Sequence, residues 1–438
     1  MKIRKLQLKN IGVFDDETIE FQPCPVKDKA EIHIFTGENG SGKSTILMAL
    51  ASAFDYFGTV NKLPGSNSFN KRFKNLQQSN VYVELDSAKV LVYRSRMIGA
   101  DTLTKTHFDK EFITYENSLD SNSLYKYDYA VFAFSGYRQI QSERVEAIYE
   151  PKEFNPLSQS LEFVKDYSRE NQITINQLIA NNISKSAIEK GRNKRKSEKF
   201  AKVLSSIEQA VFEITGWKVR FDLQTEPINL VTKMKGEELD FDVLPDGLRS
   251  LISWIADLAG RVDLLKWQDD LPIFEKNLIL LLDEIEVHLH PEWQRKVLPV
   301  VQKLFKNSQI FVSTHSPFVV NSIDDAWVYE LKVENGKAKV AEKSFTKTAY
   351  SYQTVLREVF DIDERFGEGT EKKGTQFQLD EFYKQRDAIL KTNGKSRISK
   401  KKFLEFAEKL ASQSAELQSL VFLELARLSK EKGEPYEI

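Results

Sequence analysis

The sequence predicts an α/β protein in which a sheet-and-helix core carries a glycine-rich loop, accompanied by an antiparallel β part, a short helical insert and a helical C-terminal region. Three observations carry this. A glycine-rich loop, Thr36-Gly37-Glu38-Asn39-Gly40-Ser41-Gly42-Lys43-Ser44-Thr45, follows the apolar residues Ile32, Ile34 and Phe35. Two later stretches, NLILLLDE (277–284) and QIFVSTHS (309–316), are unbroken apolar runs, as expected of parallel strands covered on both faces. The segments around them change between strand and helix periodicity.

In chain order, residues 1–35 read as three short strands, KIRKLQL, TIEF and EIHIF. The last runs into the glycines, and Ser44 to Phe57 continues as a helix with Ile46, Leu47, Leu50 and Phe54 on one side. VYVELDSAKVLVYR alternates apolar and polar residues across a turn at Asp86–Lys89, the pattern of a hairpin. FITYEN and YAVFAF read as further strands. From about Pro156 to Thr215 the pattern is helical and polar, and short strands return from Trp217 to Val243. LPDGLRSLISWIADLAG reads as a helix whose start is marked by Pro245-Asp246-Gly247. After about Ala341 the chain reads as mostly helical, with charged gaps at Gly367–Gly374 and Asn393–Lys402, and Phe403 to Leu428 forms an amphipathic helix or helix pair. The expected organisation is 1–150 for the first half of a nucleotide-binding domain with a β subdomain, 151–216 for the insert, 217–340 for the second half and 341–438 for the helical C-terminal region.

Composition narrows the function classes. A chain of 438 residues is long enough for two or three domains with a sizeable core. Its 41% hydrophobic and 29% charged residues are ordinary for a soluble protein. No apolar run reaches the roughly 18 residues a membrane span needs, and MKIRKLQLKNIGVF lacks the apolar core of a signal peptide. The single cysteine, Cys24, allows no internal disulfide; together these features predict a cytoplasmic protein without membrane association. With a net charge of −1, nucleic-acid binding would need a local patch. Such a patch exists at Lys190–Lys199, where Lys190, Arg192, Lys194, Arg195, Lys196 and Lys199 make six basic residues in ten. The run suits phosphate contacts with DNA, and equally a solvated helix face. Lys395 to Lys402 is a second basic run.

The loop fits G-x-x-x-x-G-K-[ST] from Gly37 to Ser44. Glycines at 37, 40 and 42 let the backbone approach oxygen atoms closely, and the following helix N-terminus favours negative charge. Lys43 would reach the β and γ phosphates, and the Ser44 hydroxyl would take a Mg²⁺ position. Ordinary residue frequencies produce the bare pattern in about one chain of this length in a hundred, and the strand and helix around it make it more specific. Asp283 and Glu284 end an apolar strand, where ligands of open α/β sheets bind. Asp283 would hold the metal opposite Ser44, and Glu284 would orient or deprotonate an attacking water. Three of the five histidines lie in two short segments, His288 and His290 in EVHLHP and His315 in FVSTHSP. The His-x-His pair lacks a companion cysteine for a zinc site. His315, at the tip of an apolar strand, is assigned a γ-phosphate contact.

Together, GENGSGKS, LPDG, LLLDEIEVHLHP and STHSP, in that order, resemble ABC-class ATPases of the RecF, Rad50 and OLD kind. The resemblance covers roughly residues 1–60, 125–140 and 240–330. It is closer still to a bacterial group described as predicted ATP-binding proteins involved in virulence, and to ATPase subunits of anti-phage systems such as Septu, retron-linked and PARIS-type ones. The resemblance implies an ABC-type fold in which Gly37 to Thr45 is the Walker A loop, Asp283 the Walker B aspartate, Glu284 the catalytic glutamate and His315 the switch histidine. Leu244-Pro245-Asp246-Gly247 stands at the signature loop, which in the family caps the ATP of a second subunit. His288 to Pro291 stands at the loop that crosses the dimer interface. Several features depart from the pattern. Pro245 or Asp246 replaces the signature serine. Only Arg138 or Gln139 offers a Q-loop residue. Asn10 matches the family's early asparagine, but Gly12–Val13 lacks the basic residue that usually follows it.

The helical insert shows no sustained heptads, so long-range DNA tethering is not expected. No H-N-H pattern or TOPRIM-like acidic cluster is found. The expectation is an ATPase that dimerises, or forms a higher oligomer, around Mg-ATP and regulates a separately encoded nuclease or toxin in anti-phage defence. The alternative is a RecF-like DNA-repair ATPase clamping DNA through the basic insert. A transporter subunit fits HLHP and LPDG poorly, and the guanine-reading N-K-x-D of switch GTPases is absent from the sequence.

Overall fold

A computed structural model of the chain describes residues 1–24, 28–54, 69–75, 78–86, 88–97, 100–107, 126–135, short pieces between 145 and 163, 174–346, 352–360, 374–391 and 399–438. The expected strand FITYEN and the residues Arg138 and Gln139 lie outside these. The chain falls into two compact units, Met1–Phe360 and Asp361–Ile438.

The first unit is organised by a six-stranded sheet. Its strands are β3 (Glu31–Gly37), β7 (Ala130–Phe134), β11 (Leu278–Leu282), β12 (Gln309–Ser313), β13 (Trp327–Glu334) and β14 (Lys337–Phe345), in the spatial order β14-β13-β3-β12-β11-β7. All neighbours are parallel except β13 and β14 at one edge. The apolar runs follow from burial on both faces. Ile34, Phe132, Leu280 and Val312 face a core built with helices Ile175–Glu189, Lys194–Thr215, Asp246–Leu264 and Pro291–Leu304. Phe35, Val131, Leu281 and Phe311 face a second core with helix Lys43–Ala53. That helix is buried almost all round, from Thr45 to Ala53, because it is sandwiched. The one-sided apolar pattern expected of it therefore describes only part of its packing. Its last helical residue is Ala53, and residues 55–60 are not described.

The other wall of the second core is an antiparallel sheet. It comprises β1 (Ile3–Ile11), β2 (Phe14–Glu20), β4 (Asn80–Leu85), β5 (Lys89–Met97) and β6 (Ala100–His107), in the order β2-β1-β4-β5-β6. The β4–β5 pair is the hairpin the alternation predicts. A three-stranded antiparallel sheet, β8 (Val219–Thr225), β9 (Ile228–Met234) and β10 (Glu237–Asp240), follows the helical insert. β14 continues to Phe345, past the Ala341 at which mostly helical structure is expected to begin, and beyond it the elements among the described residues are helices. β13 and β14 escaped the sequence reading. β14, KAKVAEKSF, is an edge strand whose charged residues mask its period.

The second unit has its own core. Leu379, Phe382, Phe403, Leu410, Leu417, Val421 and Leu428 are buried together on helices Thr375–Lys391, Lys400–Ala411 and Ala415–Lys432. The stretch from Phe403 to Leu428 is a helix pair, split at Ser414, whose side chain accepts from the Leu417 N–H.

Leu280 lies fully buried in the middle of β11, between β7 and β12. Leu280→Ala should cost about 2–5 kcal/mol of stability, read from urea unfolding of the purified protein.

Candidate functional site

The parallel register brings the ends of β3, β12 and β11 side by side. Ser313 pairs with Phe35, and Leu282 pairs with Val312. The glycine-rich loop therefore leaves β3 next to the ends of the two later strands. At Gly37 a side chain is impossible: a Cβ there would lie 2.2 Å from the Leu331 carbonyl oxygen of β13. The loop turns, and helix Lys43–Ala53 begins with its N-terminus toward the same edge.

Residues far apart in sequence meet here. The Ser44 hydroxyl donates to Asp283 Oδ1 at 3.0 Å across 239 residues. The Ser313 hydroxyl donates to the same oxygen and accepts the Glu284 N–H at 2.8 Å. The Asp283 N–H donates to the Phe134 carbonyl at 2.8 Å. Glu284 takes up φ +48°, in the left-handed region that costs a non-glycine residue roughly 1 kcal/mol or more. Lys43 Nζ donates to the Gly37 and Glu38 carbonyls, both at 2.9 Å. A cavity of about 320 Å³ is lined by Asn39, Gly40, Gly42, Lys43, Ser44, Thr45, Glu284 and His315, and by Gly12, Val13 and Arg72.

Burial dominates the electrostatics. It pushes the Lys43 ammonium down to about 8, against the pull of Asp283 and Glu284. It raises the Asp283 carboxyl, opposed by hydrogen bonds from Ser313 and Ser44. It lowers His315, helped by the Lys43 charge. It also lowers Arg72.

Most of the expected residues converge. Asn39, Gly40, Gly42, Lys43, Ser44, Thr45, Glu284 and His315 line one cavity, Asp283 is bonded to Ser44, and Gly37, Glu38 and Ser41 complete the loop. Asp246 and Gly247 do not line that cavity. Gly247 instead packs on the loop after β11, where a Cβ would meet the His288 carbonyl oxygen at 2.4 Å. Asp246 pairs with Arg249 in the first turn of its helix. Lys190, Arg192, Lys194, Arg195 and Lys196 are exposed at the turn between two packed helices. Some of these charges are paired, Lys194 with Glu198 at 3.9 Å and Lys196 with Glu189 at 4.0 Å. Arg195 and Lys196 line a separate groove of about 660 Å³ with Lys199 and Lys202.

Arg72 was missed. It lies in the turn Phe69–Arg72, its Nε donates to Thr45 Oγ1 at 3.2 Å, and its carbonyl accepts the Gly12 N–H at 2.7 Å. It supplies a cation beside Gly12 and Val13, where the sequence has none. No motif marks it, because only folding brings this turn to the loop.

The fold and this site are those of an α/β P-loop ATPase domain. The chain belongs to the AAA ATPase domain family, whose model matches residues 1–320. It is 33% identical to the Retron Ec83 probable ATPase of Escherichia coli over 38% of this chain and 30% of that protein. It is 26% identical to the Retron Vc95 probable ATPase of Vibrio cholerae serotype O1 biovar El Tor over 73% of this chain and 72% of that protein. It is 24% identical to the Septu protein PtuA of Bacillus thuringiensis over 35% of this chain and 40% of that protein. The matched part thus spans under half of the first and third of these relatives.

Phosphate groups beside Lys43 would restore its charge. ATP binding without the cation should therefore be coupled to proton uptake at Lys43 near pH 8, an uptake that shrinks toward pH 7, where Lys43 is largely protonated. Calorimetry in buffers of different ionisation enthalpy measures it.

Proposed function

We propose that this chain binds and hydrolyses Mg-ATP, assembles as a homodimer or higher oligomer around it, and so regulates a separately encoded nuclease or toxin in bacterial anti-phage defence, in the cytoplasm. The observation that carries the reading is the bond between Ser44 and Asp283, with Glu284 and His315 on the same cavity.

The residues present fit the ligand. Ser44 Oγ and Asp283 Oδ1 are hard oxygen donors 3.0 Å apart, suited to Mg²⁺, which keeps several waters and takes few protein ligands. A bound cation would favour the charged form of Asp283, against the effect of burial. Mg²⁺, when bound, neutralises charge on the phosphate oxygens. Lys43 and Arg72 hold the phosphate chain, and Glu284 accepts a proton from, or orients, the attacking water. His315, kept neutral by burial and by Lys43, donates a hydrogen bond toward the γ-phosphate position. Asp246 and Gly247, off the cavity, suit a role toward a second copy, where the N-terminus of helix Asp246–Leu264 would meet its γ-phosphate.

The anti-phage setting rests on the retron and Septu names of the relatives and on the motif resemblance. Among the described residues, no helix is long and apolar enough to cross a membrane. A DNA-clamping ATPase is the second reading, favoured by the four cations on the groove along helix Lys194–Thr215. It predicts hydrolysis stimulated by duplex DNA, with a steep salt dependence. Co-purification of a protein effector, without DNA stimulation, favours the first reading.

Lys43→Ala should weaken ATP binding tenfold to hundredfold or more, given about 1.5–3 kcal/mol per charged hydrogen bond. Unchanged affinity would remove the phosphate-loop assignment. Glu284→Gln should bind ATP normally, turn over about 100-fold or more slowly, and accumulate as a dimer or larger species in light scattering with ATP. Wild-type turnover in that variant would assign the base elsewhere.

A further inference from the structure

Glu286 has no part in the roles above. It lies past the end of β11, and its Oε1 accepts the main-chain N–H of His315 at 2.6 Å. Burial pushes its carboxyl up, against the bonds that favour its charged form. A carboxylate beside Asp283 and Glu284 is an unfavourable choice if all that is needed is packing, because like charges and desolvation both oppose it. What it offers in return is a short, charge-assisted bond, stronger than a neutral acceptor makes.

The need for such a bond follows from the strand ends. Glu284 and His315 line one cavity but leave different strands, β11 and β12. The main-chain pairing of those strands stops at Leu282–Val312. Glu284 then turns away at φ +48°. Beyond that point the two chains are joined by side chains. Ser313 bridges Asp283 and the Glu284 N–H, and Glu286 holds the His315 N–H. Without the second bond, His315 would be held through its neighbours, among them the Thr314 N–H on the Phe35 carbonyl and the Ser316 hydroxyl on Gln294.

We infer that Glu286 is a positioning residue for ATP hydrolysis: its carboxylate latches the main chain of His315 to the loop after β11 and so fixes the imidazole opposite Glu284. This rests on the proposed ATPase reading for its catalytic readout, but the latch itself does not. The bond requires an acceptor oxygen, and the charge strengthens it without being indispensable. Glu286→Gln keeps the acceptor, and Glu286→Ala removes it.

The test combines kinetics, a double-mutant cycle and amide exchange on the full chain. Glu286→Ala should lower kcat roughly 10- to 100-fold, the scale of a misplaced catalytic group, with ATP affinity within about twofold of wild type. Glu286→Gln should keep kcat within about threefold. In a His315→Ala background, Glu286→Ala should cost little more, because both changes remove one function. By hydrogen exchange in the ATP-free protein, the His315 amide should exchange faster in Glu286→Ala and near the wild-type rate in Glu286→Gln. The inference is overturned if Glu286→Ala leaves kcat unchanged, if the two losses add in full, if Gln fails as badly as Ala, or if the His315 amide is indifferent to both. If the wild-type chain does not hydrolyse ATP, or His315→Ala turns over normally, the ATPase reading or the role of His315 fails, while the exchange data still decide whether the latch exists.

Discussion

One buried carboxylate organises the site. Asp283 stands between the hydroxyls of Ser44 and Ser313, so it joins the helix after β3 and the ends of β11 and β12 at a single atom. Each such bond adds only about 1 kcal/mol net, but a buried carboxylate left without partners costs considerably more. The arrangement is therefore all-or-none. It depends on the order β3-β12-β11 and on a register that sets Ser313 opposite Phe35. A slip of one residue would turn Ser313 to the other face of the sheet.

The charged groups around this point share one tendency. For Lys43, Asp283, Glu286, His315 and Arg72, burial is the leading influence, and it drives each toward its neutral form. The proposed triphosphate with its divalent cation would supply counter-charges of both signs and oppose that drive. The same burial that makes the cluster expensive makes it responsive to a ligand. Helix Lys43–Ala53, packed on both sides, and the β11 and β12 ends, tied by Ser313, give the cluster a rigid frame.

The contact of Gly247 with His288 links the loop after β11 to the start of helix Asp246–Leu264. At that approach only a hydrogen fits. The helix N-terminus therefore packs directly on the loop that follows Glu284 and Glu286, although Asp246 and Gly247 do not line the cavity. The second unit, with its separate core, folds by the same amphipathic logic.

Residues whose chemistry is local were legible in the chain. The loop from Gly37 to Ser44, the acids at the end of an apolar strand and His315 at the tip of another announce themselves because glycine freedom, hydroxyl donors and strand periodicity act over a few residues. The burial of β11 and β12 on both faces was readable for the same reason. Arg72, Ser313 and Glu286 were not, since each matters only through a partner brought by the fold: Thr45 for Arg72, Asp283 for Ser313, His315 for Glu286. β14 was hidden by the charged pattern of an edge strand. The sequence by itself determined which groups can meet a phosphate, because that chemistry is written in residue types. Only the tertiary structure decided how they face one another, because the parallel register between strands far apart in the chain is set by packing of whole faces and leaves no mark on any short stretch.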